Sequence, residues 1–151
     1  MSQKSNLSAR ISQILIILAG VCGVAAFCMF FANCVVFSPP ILGKSAYSGL
    51  QTAFGYTESG IEIFHGSVGV ALSFILPLIA ACAAVAGKES KIATVAAALL
   101  FVAAAILAFC IPQTAVGNFA VQPKLGSGAI TCGILSAGGA ASVALSFFLA
   151  K

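Results

Sequence analysis

Charge is the scarcest resource in this chain: seven lysines and arginines, three acidic residues and one histidine are spread over 151 residues, and there is no tryptophan. A charged fraction of 7% with a mean hydropathy of +1.15 cannot give every helix the polar face that a water-soluble bundle needs. No Asp, Glu, Lys or Arg stands in the middle of a long apolar stretch, whereas proton-coupled pumps and exporters use such a group as their coupling site. His65 is the single histidine, which excludes haem held by paired imidazoles. Arg10 is the single arginine, too few for the small four-span enzymes that grip an anionic cofactor. The six cysteines contain no C-x-x-C, the motif on which four-span thiol oxidoreductases depend. With no catalytic constellation available, the expectation is a protein that is not an enzyme and has no cofactor.

What the sequence does have is apolar length. Four stretches, at about 11–37, 64–86, 92–111 and 128–149, each reach the roughly 20 residues that a hydrocarbon core about 30 Å thick requires. None alternates as a barrel strand would, so helices are the spanning form. The predicted fold is an all-α integral membrane protein, a single domain over 1–151 made of an antiparallel bundle of four transmembrane helices with a larger first outer loop. Lys4, Arg10, Lys88, Lys91 and Lys151 fall at the two termini and in the second connection, leaving Lys44 and Lys124 for the other two. The positive-inside rule then predicts both termini in the cytoplasm. Positive charge spread over separate sites is not a nucleic-acid footprint. The N-terminal stretch is too long for a signal-peptide core and lacks a small-residue cleavage site, so it is read as an uncleaved span.

Along the chain, Pro39 and Pro40 are expected to stop the first span. In the outer connection Tyr47, Leu50 and Phe54 have the spacing of one face of a short interfacial helix, with an irregular loop as the alternative. Ser59-Gly60-Ile61-Glu62 has the form of a capping box opening the second span, and Pro77 predicts a kink inside it. The short turn Gly87–Lys91 makes the second and third spans a hairpin, and Pro112 ends the third. Val116, Phe119 and Val121 alternate as a short strand or a packed loop.

The last span is the packing helix. Gly128, Cys132, Ser136, Ala140 and Ala144 recur every four residues, Gly133, Ala137 and Ala141 repeat the spacing one position on, and Gly138, Ser142 and Ser146 form another stripe. Small residues at this interval let membrane helices approach closely, within one protomer or against a partner.

Two clusters invite chemistry. Glu58, Glu62 and His65 would share one side of a continuous helix and could bind a divalent cation or relay a proton; the competing account is a capped helix start with acidic groups near its positive end. Cys34 and Cys110 both lie near the outer surface, which makes a disulfide between them possible in an oxidising compartment. Cys22, Cys28 and Cys34 are six apart and rotate around the helix, so they read as small packers.

Four spans and a long first outer connection holding Gly49-Leu50-Gln51 resemble the tetraspan plan of claudin-type proteins, although the W-G-L-W-C-C pattern of that family's loop is absent. The run from Gly49-Leu50-Gln51 to Phe54-Gly55-Tyr56, followed by the Pro77 span, is similar to uncharacterised small four-span proteins of bacterial inner membranes. That resemblance implies a plasma-membrane location and brings no activity. The functional expectation is a non-catalytic tetraspan protein embedded in the lipid bilayer that binds other membrane subunits or copies of itself. The alternative is an oligomeric passive channel lined by Thr94, Thr131, Ser136, Ser142 or Ser146.

Overall fold

The computed structural model describes residues 2–38, 44–87, 90–117 and 121–149, with the side chains of 2–5 left out. The membrane part is a bundle of four helices: α1 (Ser2–Cys28), α3 (Val68–Ala86), α4 (Lys91–Phe109) and α6 (Ser127–Leu149). Each contains a window long and apolar enough to cross a bilayer. α1 packs on α3 and α6, and α4 packs on the same pair, so α1 and α4 occupy opposite corners of a ring of antiparallel neighbours.

A single sequence rule builds the bundle. The buried positions recur at alternating three- and four-residue steps: Ala19, Gly23, Ala26 and Phe30 along α1 and its end; Val70, Ser73, Pro77, Ala80 and Ala84 on α3. They continue as Thr94, Ala97, Phe101, Ala104 and Ala108 on α4, and as Ala129, Cys132, Ser136, Gly139, Val143 and Ser146 on α6. A period near 3.5 is that of left-handed, knobs-into-holes packing. Most of these residues are small, which is how helices associate when lipid offers no apolar drive. A Cβ added to Gly23 would fall 2.5 Å from the Ala81 Cβ and from the Pro77 carbonyl oxygen, and one added to Gly139 would fall 2.7 Å from the Phe101 ring.

The connections fold into a cap at one end of the bundle. β1 (Asn33–Phe37) lies between β2 (Ser45–Ser48) and β5 (Lys124–Leu125), antiparallel to both, with Val35 opposite Tyr47 and Leu125. α2 (Gly49–Phe54) follows β2 directly, then β3 (Tyr56–Glu58) and β4 (Ile61–Phe64) form a hairpin that leads into α3. After α4, Cys110 caps the helix and α5 (Ile111–Thr114) turns the chain back. The His65 amide donates to the Val116 carbonyl at 3.0 Å and the Ser67 hydroxyl to the Thr114 carbonyl at 2.6 Å, which ties the α1–α3 connection to the α4–α6 connection.

Several predicted boundaries change. The first apolar stretch is helical only to Cys28, continues as a single 3₁₀ turn over Met29–Phe31, and becomes strand β1. Val35, Val36 and Phe37 favour a pleated strand, and β2 and β5 supply the ladder partners their backbone needs outside the bilayer. The helix therefore ends well before Pro39 and Pro40, which lie outside the described residues. The second helix does not open at Ser59: Ser59 and Gly60 have φ of 52° and 82°, the signature of a two-residue type I′ hairpin turn, and α3 is capped by Ser67 instead. The chain's capping box is at Ser48 and Gln51, at the start of α2. The expected short helix is present as α2, but Tyr47 precedes it in β2 and is buried, while Leu50 and Phe54 are exposed. Pro112 sits in α5 and does not end α4. Of the expected Val116–Val121 strand, Gly117 forms an isolated bridge to Phe64, 118–120 lie outside the described residues, and the strand proper is β5.

Candidate functional site

The type I′ turn decides the fate of the acidic cluster. Because Glu58 and Glu62 stand on opposite strands of a hairpin, the helical register that would have gathered them with His65 does not exist. Glu58 accepts a 2.9 Å hydrogen bond from the Tyr47 hydroxyl. Glu62 Oε1 instead lies 3.2 Å from His65 Nδ1, with both side chains about half exposed. Among the described residues no three His, Cys, Asp or Glu side chains come together as a metal site. The cation-binding reading of Glu58, Glu62 and His65 loses its geometric basis.

Tyr47 organises the apolar side of the same cap. Its ring packs against Phe37, Tyr56 and Phe64 with centroids 5.9, 5.7 and 5.2 Å away. Burial first, and then the hydrogen bond to Glu58, raises the Tyr47 phenol above its ordinary range. Phe30 and Phe74 stack at 5.1 Å beneath α2, and Gly49 is needed there because a Cβ would fall 2.8 Å from the Phe30 ring and 2.9 Å from that of Phe74.

All six cysteines are free. Cys34 is fully buried, its thiol 3.9 Å from the Thr52 hydroxyl, while Cys110 is half-buried at the end of α4. Burial pushes the Cys34 thiol up to about 11, so it is a poor thiolate nucleophile. Cys132 has a structural task that its neighbours explain. Pro77 lacks an amide hydrogen, which leaves the carbonyl of Ser73, four residues earlier, without its helical donor. The Cys132 thiol reaches across from α6 to that carbonyl at 3.6 Å. A weak donor from a neighbouring helix thus serves the group that the proline orphans.

On α6, Gly128, Cys132, Gly133, Ser136 and Ser142 are buried, Ala140 is half-buried, and Ala137 and Gly138 face outward with Ala141 and Ala144. A strict four-residue stripe advances about 40° per step around a helix with 3.6 residues per turn, so it starts in the interface at Gly128 and has left it by Ala144. The Thr94, Ser142 and Ser146 hydroxyls donate to carbonyls of their own helices, at 3.0, 2.8 and 2.7 Å, and Thr131 is exposed. Ser136 Oγ is buried, one turn along α6 from the Cys132 thiol.

Sequence reasoning gave weight to Glu62 as a cap and missed Tyr47–Glu58 and Cys132–Ser73. The first was legible in a Ser-Gly pair flanked by Tyr56-Thr57-Glu58 and Ile61-Glu62-Ile63-Phe64, a hairpin pattern. The second needed the helix pairing and had no signal in sequence.

Together the four apolar helices and the small-residue seams define a multi-pass membrane protein. Set against family models, curated proteins and solved structures, the chain matches none.

Proposed function

We propose that the chain is a non-catalytic four-span protein that works through its helix surfaces, as an accessory subunit of a larger membrane complex or as a self-assembling component. The observation that carries this reading is the asymmetry of α1. Only 22% of its span is buried inside the bundle, against 39% for α3 and α6 and 33% for α4. Leu7, Ile11, Ile14, Leu18 and Val21 form an outward ridge along it, with the four- and three-residue steps that suit a second helix. The most interdigitating small-residue seam of α6 is consumed inside the protomer, so a partner meets α1.

The positive-inside distribution supports cytoplasmic termini, which sets the strand cap on the outer side. The short α3–α4 turn suits a bacterial plasma membrane. The channel alternative draws little from the hydroxyls, since Thr94, Ser142 and Ser146 bond back to their own helices.

Native mass spectrometry of the tagged chain, extracted gently from its own membrane, tests the proposal. A stoichiometric partner or a homo-oligomer is expected. A monomer accompanied by lipid alone would overturn it.

A further inference from the structure

Between α4 and α6, on the side of the bundle away from α1, runs a groove of about 390 Å³. That volume is in the range of small-molecule sites. Its walls are Val95, Ala98, Leu99 and Val102 from α4 and Ala141, Phe147 and their neighbours from α6. Thr94 is the one hydroxyl in the lining, and it is already spent on the Ser90 carbonyl at 3.0 Å. The groove therefore offers nothing to a polar ligand and fits hydrocarbon.

Two further features fix what kind of hydrocarbon. A second hollow continues from Val95, Leu99 and Phe147 to Lys91, so the groove opens beside a lysine ammonium at the first residue of α4. From Lys91 to Val102 the helix rises about 16 Å, which is half of a hydrocarbon core about 30 Å thick and hence the depth of one leaflet. Glu58 and Glu62 lie in the cap at the other end of the bundle, and the third carboxylate, Glu89, is flanked in the turn by Lys88 and Lys91 and lies outside the described residues. At the opening turn of α4 the Ser90 and Ala93 amides are taken by the Gly87 carbonyl and the Ser90 hydroxyl, so the charge available to a headgroup there is that of Lys91.

We propose that the α4–α6 groove is a lipid site that takes one acyl chain of an anionic phospholipid from the leaflet on the α3–α4 turn side, with the lipid phosphate held at Lys91. The chain lies along Leu99 and Phe147, and the headgroup stays at the membrane surface where Lys91 is exposed. The alternative occupant, a helix from another protein, would bring its own side chains into the same walls and is separated by the test below.

The full chain, purified in detergent, is incubated with palmitoyl-oleoyl phosphatidylglycerol or with the matching phosphatidylcholine and measured by native mass spectrometry. One phosphatidylglycerol is expected to stay bound under activation that strips the other lipids, with a preference of about fivefold over phosphatidylcholine, the effect of one lysine near an anionic headgroup. Lys91→Gln should remove the preference and leave the chain-dependent binding. Ala141→Phe, which fills the groove from an outward position, should remove retention of both lipids while the helical circular dichroism is unchanged. If Ala141→Phe unfolds the protein, Ala98→Leu is the milder filling. Equal retention of the two lipids by the wild type, retention undiminished in a folded groove-filled variant, or a change of subunit number on filling would each overturn the proposal.

Discussion

The two packed clusters of this molecule are made from different residues. Toward the cap, Phe30, Val35, Tyr47, Phe64, Val70, Phe74 and Ile111 supply large side chains to a core that also holds Ala26, Cys34, Ala53, Ala108, Ala129 and Cys132, where helix ends, strands and short helices meet. Toward the opposite end, Ala19, Ala80, Ala81, Ala84 and Ala97 are packed with Phe101 and Val143, a core that is nearly all alanine. In lipid there is no apolar gain from burying a large side chain between helices, so close backbone approach is what holds the alanine end together. In the cap the backbone leaves the helical ladder, and strand pairing plus large buried side chains are added to close approaches such as that of Gly126 to the Asn33 carbonyl. Holding the bundle and shaping its capped end are separate tasks, and the two ends differ in the large side chains and strands that only the capped end has.

The comparison breaks most severely where two helices approach closely. Gly23→Leu should separate α1 from α3 and cost about 3 kcal/mol, the upper range for overpacking, seen as a large fall in melting temperature in detergent. Phe74→Ala, in the large-residue core, should cost a comparable amount, about 3 kcal/mol, by leaving a cavity under Phe30. The two differ in kind: a smaller residue at the alanine end, such as Val143→Ala, should cost distinctly less than Phe74→Ala.

Cys34 sharpens the contrast through pH. Its thiol is raised from 9.0 to about 11, so the neutral form is favoured by folding. That contribution is complete below pH 9, is lost progressively as pH rises through about 11, and is on the order of 2 kcal/mol. Alkaline titration should therefore loosen the cap first, reported by limited proteolysis of the cap strands, and Cys34→Ala should flatten the profile over that window. Cys132→Ala should cost about 1 kcal/mol by leaving the Ser73 carbonyl without a donor, and Cys132→Ser should recover most of it. Glu62→Gln should change stability by less than about 0.5 kcal/mol, because its pairing with His65 is half exposed.

Much of the bundle was legible in sequence because a bilayer imposes one requirement, a long apolar helix, and four stretches meet it. The boundaries failed where apolar composition continued past the helix. Asn33–Phe37 is as hydrophobic as the residues before it, and only its β-branched content and its distance past a full span distinguish a strand. The small residues of α6 are visible in sequence at steps of four, whereas the helix buries steps of three and four alternately. Ser59 was read through Glu62 as a cap because a motif of four residues is shared by helix starts and hairpins; the tertiary pairing of β3 with β4 decides between them.

The outward ridge of α1 is where the account stands or falls. A photo-reactive amino acid placed at Ile14, 63% exposed on that ridge, and irradiated in intact membranes should yield one protein adduct of defined mass, either a second copy or a single partner. The same probe at Leu99, in the groove wall, should give lipid adducts. Lipid adducts alone at Ile14 would contradict a protein that works through its helix surfaces.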